Sequence, residues 1–140
     1  MFWDTSAIIP VLLPESRSGA ITDALAADRE VTLWWGTPVE CLSAIYRRHR
    51  ESPVAAPLMT EALSRIRALV EDADTVSPTD EVRRRAGRLV AAHPLRAADA
   101  LQLGAALVWC EEQPHGEIFV CLDARLREAA RREGFSLSPD

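Results

Sequence analysis

Lysine and asparagine are absent from this 140-residue chain, and all 16 of its basic residues are arginine. Without lysine, no mechanism can use an amine nucleophile or a phosphate-binding lysine. The arginine bias itself reads first as codon usage in a GC-rich genome. Cysteine is scarce. Cys41, Cys110 and Cys121 form an odd, widely spaced set with no metal-ligand pattern, and read as buried thiols of a reducing cytosol. His49, His93 and His115 are isolated from one another and from any cysteine, which argues against zinc and makes them ordinary surface or loop residues. Positive charge is in deficit: the net charge of -5 excludes binding of nucleic acid by bulk attraction. Long apolar runs are missing too. No stretch approaches the ~20 residues of a membrane span, and Met1-Phe2-Trp3-Asp4 has neither the basic start nor the apolar run of a signal peptide.

What remains is an ordinary globular composition, 48% hydrophobic and 26% charged. The length reads as one domain over residues 1–140, large enough to bury roughly two-thirds of the surface its unfolded chain exposes. No repeat, linker or low-complexity segment interrupts it.

Short apolar runs alternate with stretches of helical period, the pattern of a parallel α/β sheet. Phe2-Trp3 begins a first strand. Ile8 to Leu13 reads as a short helix stopped by Pro14, and Ser18 to Ala27 as a helix with Ile21 and Leu25 on one face. Val31 to Trp35 is a second strand. Thr37-Pro38 opens a helix running to about Arg50, with Thr37 as N-cap and Glu40 three residues on. Ser52-Pro53 restarts a helical stretch whose apolar face runs through Leu58, Ala62, Leu63, Ile66, Leu69 and Val70, with Pro57 in its first turn or at a break. Asp74 to Val76 reads as a very short strand. Ser77-Pro78 starts a helix with early acids, which the dipole favours, closed by His93-Pro94. Ala97 to Trp109 is a strongly apolar helix. Glu117 to Leu122 is the strongest strand signal. Ala124 to Glu133 is a helix closed by Gly134, and Phe135 to Leu137 a final edge strand.

Four acids stand where these elements meet. Asp4 and Asp123 follow apolar strands directly, while Glu40 and Asp99 lie in the first turns of helices. Parallel strands share a direction, so residues just past their ends gather on one rim, and helix starts point to the same rim. Clustered carboxylates repel one another. A hard cation such as Mg²⁺ or Mn²⁺, which prefers oxygen ligands and keeps several waters, resolves that repulsion and suits phosphate ester chemistry. Each acid also has a plain structural reading. Glu40 fits the far half of a capping box with Thr37, Asp99 a dipole-favoured first-turn acid, and Asp123 an N-cap. Asp4, between an apolar start and an apolar run, is the hardest to explain that way.

The residues Asp4-Thr5-Ser6-Ala7, Glu40 after Thr37-Pro38, Leu95-Arg96-Ala97-Ala98-Asp99-Ala100-Leu101-Gln102-Leu103 and Phe119-Val120-Cys121-Leu122-Asp123-Ala124-Arg125-Leu126 together resemble the PIN-domain family, specifically VapC-type toxins of toxin–antitoxin pairs. The resemblance covers essentially the whole chain. It implies a three-layer α/β/α sandwich around a mainly parallel sheet, and Mg²⁺- or Mn²⁺-dependent endoribonuclease activity in the cytoplasm. It further implies Asp4, Glu40, Asp99 and Asp123 as the acidic set, with Asp4, Asp99 and Asp123 on the metal, Glu40 completing the site, and Ser6 accompanying the first Asp. Cys121 stands where such domains often carry Thr or Ser, which touches a supporting contact only, since a thiol is a weak hydrogen-bonding group.

RNA must reach a negatively charged protein. Arg96 beside Asp99, and the clusters Arg47-Arg48-Arg50 and Arg83-Arg84-Arg85-Arg88, offer a local basic path, although charged clusters also serve as solvated helix faces. The apolar face through Leu58, Ile66 and Val70, with Trp34, Trp35 and Trp109, exceeds what one core requires. By resemblance, part would form a homodimer interface and part would receive the C-terminal segment of a small antitoxin; the same residues also read simply as core. Two alternatives remain open at this point: a PIN-like module that binds RNA or protein without efficient cleavage, and a free-standing RNA-processing nuclease. A phosphatase with an aspartyl nucleophile would want Asp where Ser6 stands, and a phosphoacceptor receiver domain would want a lysine.

Overall fold

The computed structural model describes residues 1–13, 18–27 and 30–139. Five strands and seven helices alternate among them. They are β1 (Phe2–Trp3), α1 (Thr5–Leu12), α2 (Ser18–Ala27), β2 (Thr32–Trp34), α3 (Thr37–Glu51), α4 (Ala56–Asp72), β3 (Asp74–Val76), α5 (Asp80–Ala92), α6 (Ala97–Trp109), β4 (Ile118–Val120), α7 (Ala124–Glu133) and β5 (Ser136–Ser138). The strands form one parallel sheet in the order β3-β2-β1-β4-β5. The chain starts at the centre, winds out to one edge, then returns to β1 and continues to the other. β1 and β4 are therefore neighbours although more than a hundred residues apart, with Phe2 opposite Phe119 and Trp3 opposite Val120.

The pleat explains the layers. Successive side chains of a strand point to opposite faces, so Phe2, Trp34, Phe119 and Cys121 join the core under α5, α6 and α7. Trp3, Leu33 and Val120 join a second core under α1 to α4. The result is the three-layer α/β/α arrangement expected from the sequence. Phe2 stacks on Phe119 with ring centroids 5.6 Å apart and only 5° between planes. The α5–α6 pair approaches closely because Gly104 has no side chain: a Cβ there would stand 3.1 Å from the Val82 carbonyl oxygen. Gly134 ends α7 at φ +108°, a left-handed conformation that glycine adopts without strain. No helix among the described residues is long and apolar enough to cross a membrane.

Most elements lie where the hydrophobic pattern puts them, and the differences have local causes. β2 and β4 are shorter than their apolar runs, and β5 is shifted by one residue. α1 starts at Thr5 rather than Ile8, because Asp4 caps it: Asp4 Oδ2 accepts from Ser6 N at 2.9 Å, and the Asp4 carbonyl from Ala7 N at 3.0 Å. Pro14, expected to stop this helix, lies outside the described residues. α3 is capped by Gly36, and Thr37 is its first helical residue. The Thr37 hydroxyl accepts from the Gln102 side chain instead of capping the helix. Ser52 closes α3 rather than opening the next helix, and α4 begins at Ala56 with Pro57 in its first turn. Thr79, not Ser77, caps α5 through Val82 N.

Of the apolar residues in question, Trp34 and Ile66 are core, Val70 and Trp109 are half-buried, and Trp35 and Leu58 are exposed. Cys41 and Cys121 are buried as expected, whereas Cys110 is half-buried; all three are free thiols. His93 closes α5 as expected, as a loop residue rather than a surface one. It is buried at the end of α5, with Nε2 2.7 Å from Glu133 Oε1.

Candidate active site

Asp4, Glu40, Asp99 and Asp123 line one open cleft at the carboxyl ends of the strands. They arrive from four directions: Asp4 from the end of β1, Asp123 from just past β4, Glu40 from the first turn of α3, and Asp99 from the first turn of α6. The cleft wall is completed by Thr5, Ser6 and Ile9 of α1 and by a stripe of α3, where Ser43, Ala44, Arg47, Arg48 and Glu51 follow Glu40 at three- and four-residue steps.

Each carboxylate is held by one oxygen. Asp4 Oδ2 accepts from Ser6 N, from Ser6 Oγ at 2.5 Å and from Cys121 Sγ at 3.6 Å. Asp123 Oδ1 accepts from Arg125 N and Leu126 N, both at 2.9 Å, as the N-cap of α7. Glu40 Oε2 accepts from Thr5 Oγ1 at 3.1 Å and Gln102 Nε2 at 3.2 Å. Asp99 Oδ2 faces Arg96 N at a long 3.4 Å. Among the described residues the second oxygen of each acid takes no hydrogen bond from the protein. The structural and functional readings of these acids therefore do not compete. One oxygen caps or anchors, and the other is left to the cleft.

The electrostatics agree with clustering. Asp4 is almost wholly buried, and burial pushes its carboxyl above the ordinary range against the pull of its hydrogen bonds, with the charge of Asp99 adding to the rise. Burial also raises Glu40, opposed by Gln102 and Thr5 and assisted by the charges of Asp4 and Asp99. The thiols around the site are driven the same way. Burial, then the charges of Glu40 and Asp4, push Cys41 up to about 12. Burial and Asp4 raise Cys121 further, so neither thiol is a nucleophile at neutral pH.

Beneath the acids, Ser6 ties two strand ends together. Its Oγ donates to Asp4 and accepts from Leu122 N at 2.9 Å and Asp123 N at 3.2 Å. Cys121, from the same turn after β4, lies 3.6 Å from both Ser6 Oγ and Asp4 Oδ2, so the thiol makes a long contact with the site. Arg127 closes the turn from behind by donating to the Cys121 carbonyl at 2.8 Å.

Among the arginines, Arg47 and Arg48 line the cleft, whereas Arg96 is exposed outside the lining residues. In the second cluster Arg83 pairs with Asp80, Arg84 with Glu81, Arg85 with Glu81 and Glu112, and Arg88 with Glu133. It forms a surface charge network. Two further polar residues of the site, Thr5 and Gln102, went without a role in the sequence reading. Gln102 had a visible signal: it is the one polar side chain in the apolar stretch Ala100 to Trp109.

No three His, Cys, Asp or Glu side chains among the described residues form a metal cage by themselves. The four acids still offer the oxygen donors that Mg²⁺ takes. That ion is commonly held by one or two carboxylates and completed by water and phosphate. The PIN-domain family profile matches residues 1–132. No curated protein matches the chain.

Proposed function

The chain belongs to the PIN-domain family, whose members are generally nuclease-like modules, and on that premise we propose that it is a Mg²⁺- or Mn²⁺-dependent endoribonuclease and the toxin of a VapC-type toxin–antitoxin pair. The observation that carries this reading is the sidedness of the acids: four carboxylates in one cleft, each anchored by one oxygen. Caps alone would not need to converge. Asp4, Asp99 and Asp123 would hold the cation, and Glu40 would complete the site directly or through water. When bound, the ion lowers the pKa of a coordinated water and neutralises charge on the phosphate.

The chain's own residues do the rest. Ser6 holds Asp4 and the Asp123 turn in fixed relation. Cys121 supports Asp4 from below. Glu40, held by Thr5 and Gln102, would complete the site directly or through water. Arg47 and Arg48, about two turns beyond Glu40 on α3, would bind the RNA backbone beside the acids. Arg96, exposed near the start of α6, would meet the strand outside the cleft.

The toxin reading draws support from apolar surface that the two cores leave over. A groove between α3 and α4, lined by Leu42, Tyr46, Leu63 and Val70 over the core residue Ile66, would receive an apolar segment of a small antitoxin. Exposed Trp35 and Leu58 would contribute to a homodimer and to hetero-oligomers with the antitoxin, in the cytoplasm. The test is induced expression followed by sequencing of RNA ends. Growth arrest with new, discrete ends that vanish in Asp99→Asn supports the reading. Arrest without new ends would assign the chain to RNA or protein binding, and new ends without arrest to a free-standing nuclease.

A further inference from the structure

Gln102 is 1% exposed on α6, one turn after Asp99, among buried Ala100, Leu103, Ala105 and Ala106. An apolar side chain would suit such surroundings. The amide instead reaches across to two other helices. Its Nε2 lies 2.8 Å from Thr5 Oγ1 of α1, and 3.2 Å from both Thr37 Oγ1 and Glu40 Oε2 of α3.

The Gln102 nitrogen carries two protons for three acceptors, so the 3.2 Å contacts to Thr37 and Glu40 share one of them while Thr5, the nearest, takes the other. With Glu40 ionised, the one proton of the Thr5 hydroxyl goes to Glu40 Oε2. Thr5 can then only accept from Gln102, so the nitrogen must face it. That orientation turns Gln102 Oε1 away, buried and without a partner among the described residues. Buried acceptors are rarely left unpaired. As a packing device the residue is a poor choice. As a donor aimed at a carboxylate, directly and by way of Thr5, it is well placed. Both of its paths to Glu40 end on the same oxygen, Oε2, and leave Glu40 Oε1 without a donor among the described residues.

We propose that Gln102 is a positioning residue of the acid cleft, which sets Glu40 through Oε2 so that Oε1 is the oxygen left for the ion and its water. The proposal rests on the metal-dependent nuclease reading above. It adds that α6 serves the site twice, supplying Asp99 and, one turn later, the amide that places the acid of α3.

The experiment is Mn²⁺ titration of the full chain by calorimetry, with melting curves in metal-free buffer and RNA cleavage run in parallel. The variants are Gln102→Leu, Thr5→Val, Glu40→Gln and the double variant Gln102→Leu/Glu40→Gln. Gln102→Leu and Thr5→Val should each weaken Mn²⁺ binding about tenfold, the lower range for outer partners of a metal site. Melting temperature should stay within about 4 °C of wild type. Adding Gln102→Leu to Glu40→Gln should cost no further affinity, because the amide acts through that acid. Wild-type Mn²⁺ affinity in folded Gln102→Leu, or losses that add fully in the double variant, would overturn the proposal. If Gln102→Leu does not fold, Thr5→Val decides: wild-type affinity there overturns it as well. A wild-type chain that neither binds Mn²⁺ nor cuts RNA overturns the nuclease reading itself. Wild-type binding and cleavage with an indifferent Gln102 overturns this inference alone.

Discussion

The hydroxyl of Ser6 donates to Asp4 Oδ2 at 2.5 Å while accepting from Asp123 N at 3.2 Å, so one side chain couples the two acids that follow β1 and β4. Ser6→Ala removes both links and the bond from Leu122 N together. It leaves a buried carboxylate short of a donor, a loss of about 1–3 kcal/mol. Urea unfolding should report that destabilisation, and RNA cleavage should fall about tenfold or more. Wild-type values on both would mean the hydroxyl does not hold the site.

The raised carboxyl of Asp4 makes metal-free stability depend on pH. Below its ordinary value of 3.8, both folded and unfolded chains keep the proton. As pH rises past that value the unfolded chain ionises first, so stability falls until the raised folded value is passed, then levels. Asp4→Asn keeps an acceptor for the cap and removes the titration. Its melting temperature relative to wild type should therefore climb with pH from about 4 upward, and Mg²⁺ should narrow the gap at pH 8 by stabilising only the wild type. A difference independent of pH contradicts the burial of a charge at Asp4.

Glu133 runs the opposite way. Burial opposes its ionisation, but bonds from Arg88 and His93 hold it below the ordinary 4.5. Its contribution is present above that value and lost as pH falls through the depressed one. Glu133→Gln should cost about 1 kcal/mol at pH 7, since Arg88 is half exposed and solvent weakens the pair. The difference from wild type should shrink as the solution is acidified below pH 4. A gap that persists at low pH would place the loss in packing rather than charge.

RNA binding separates the two arginine clusters. Arg47→Ala, at the cleft, should raise KM and reduce the salt dependence of binding by about one unit. Arg84→Ala, whose guanidinium is paired with Glu81 on the far network, should leave both unchanged. Equal effects would return the basic path to bulk charge.

The elements were legible in the sequence because each carries its own period. The alternation of Phe2 and Trp3 between two cores follows from the pleat alone. Boundaries depended on polar contacts that no periodicity records. Thr37 looks like an N-cap, yet its hydroxyl faces Gln102, sixty-five residues away, so Gly36 caps the helix and the expected capping box with Glu40 does not form. The acids were legible as positions at strand and helix ends. What could not be read is that capping and convergence occur in the same side chain: Asp123 caps α7 with one oxygen and lines the cleft beside Asp4. The burial of His93 was illegible for a similar reason, since its partner Glu133 lies forty residues on.

The most direct test of the central claim is cleavage of single-stranded RNA by the purified chain with Mn²⁺, wild type against Asp4→Asn and Asp99→Asn at matched folded fractions. The account predicts metal-dependent cleavage by the wild type and a loss of about 100-fold or more in each variant, both of which keep an acceptor at the helix start. Robust, equal cleavage by all three proteins would contradict it.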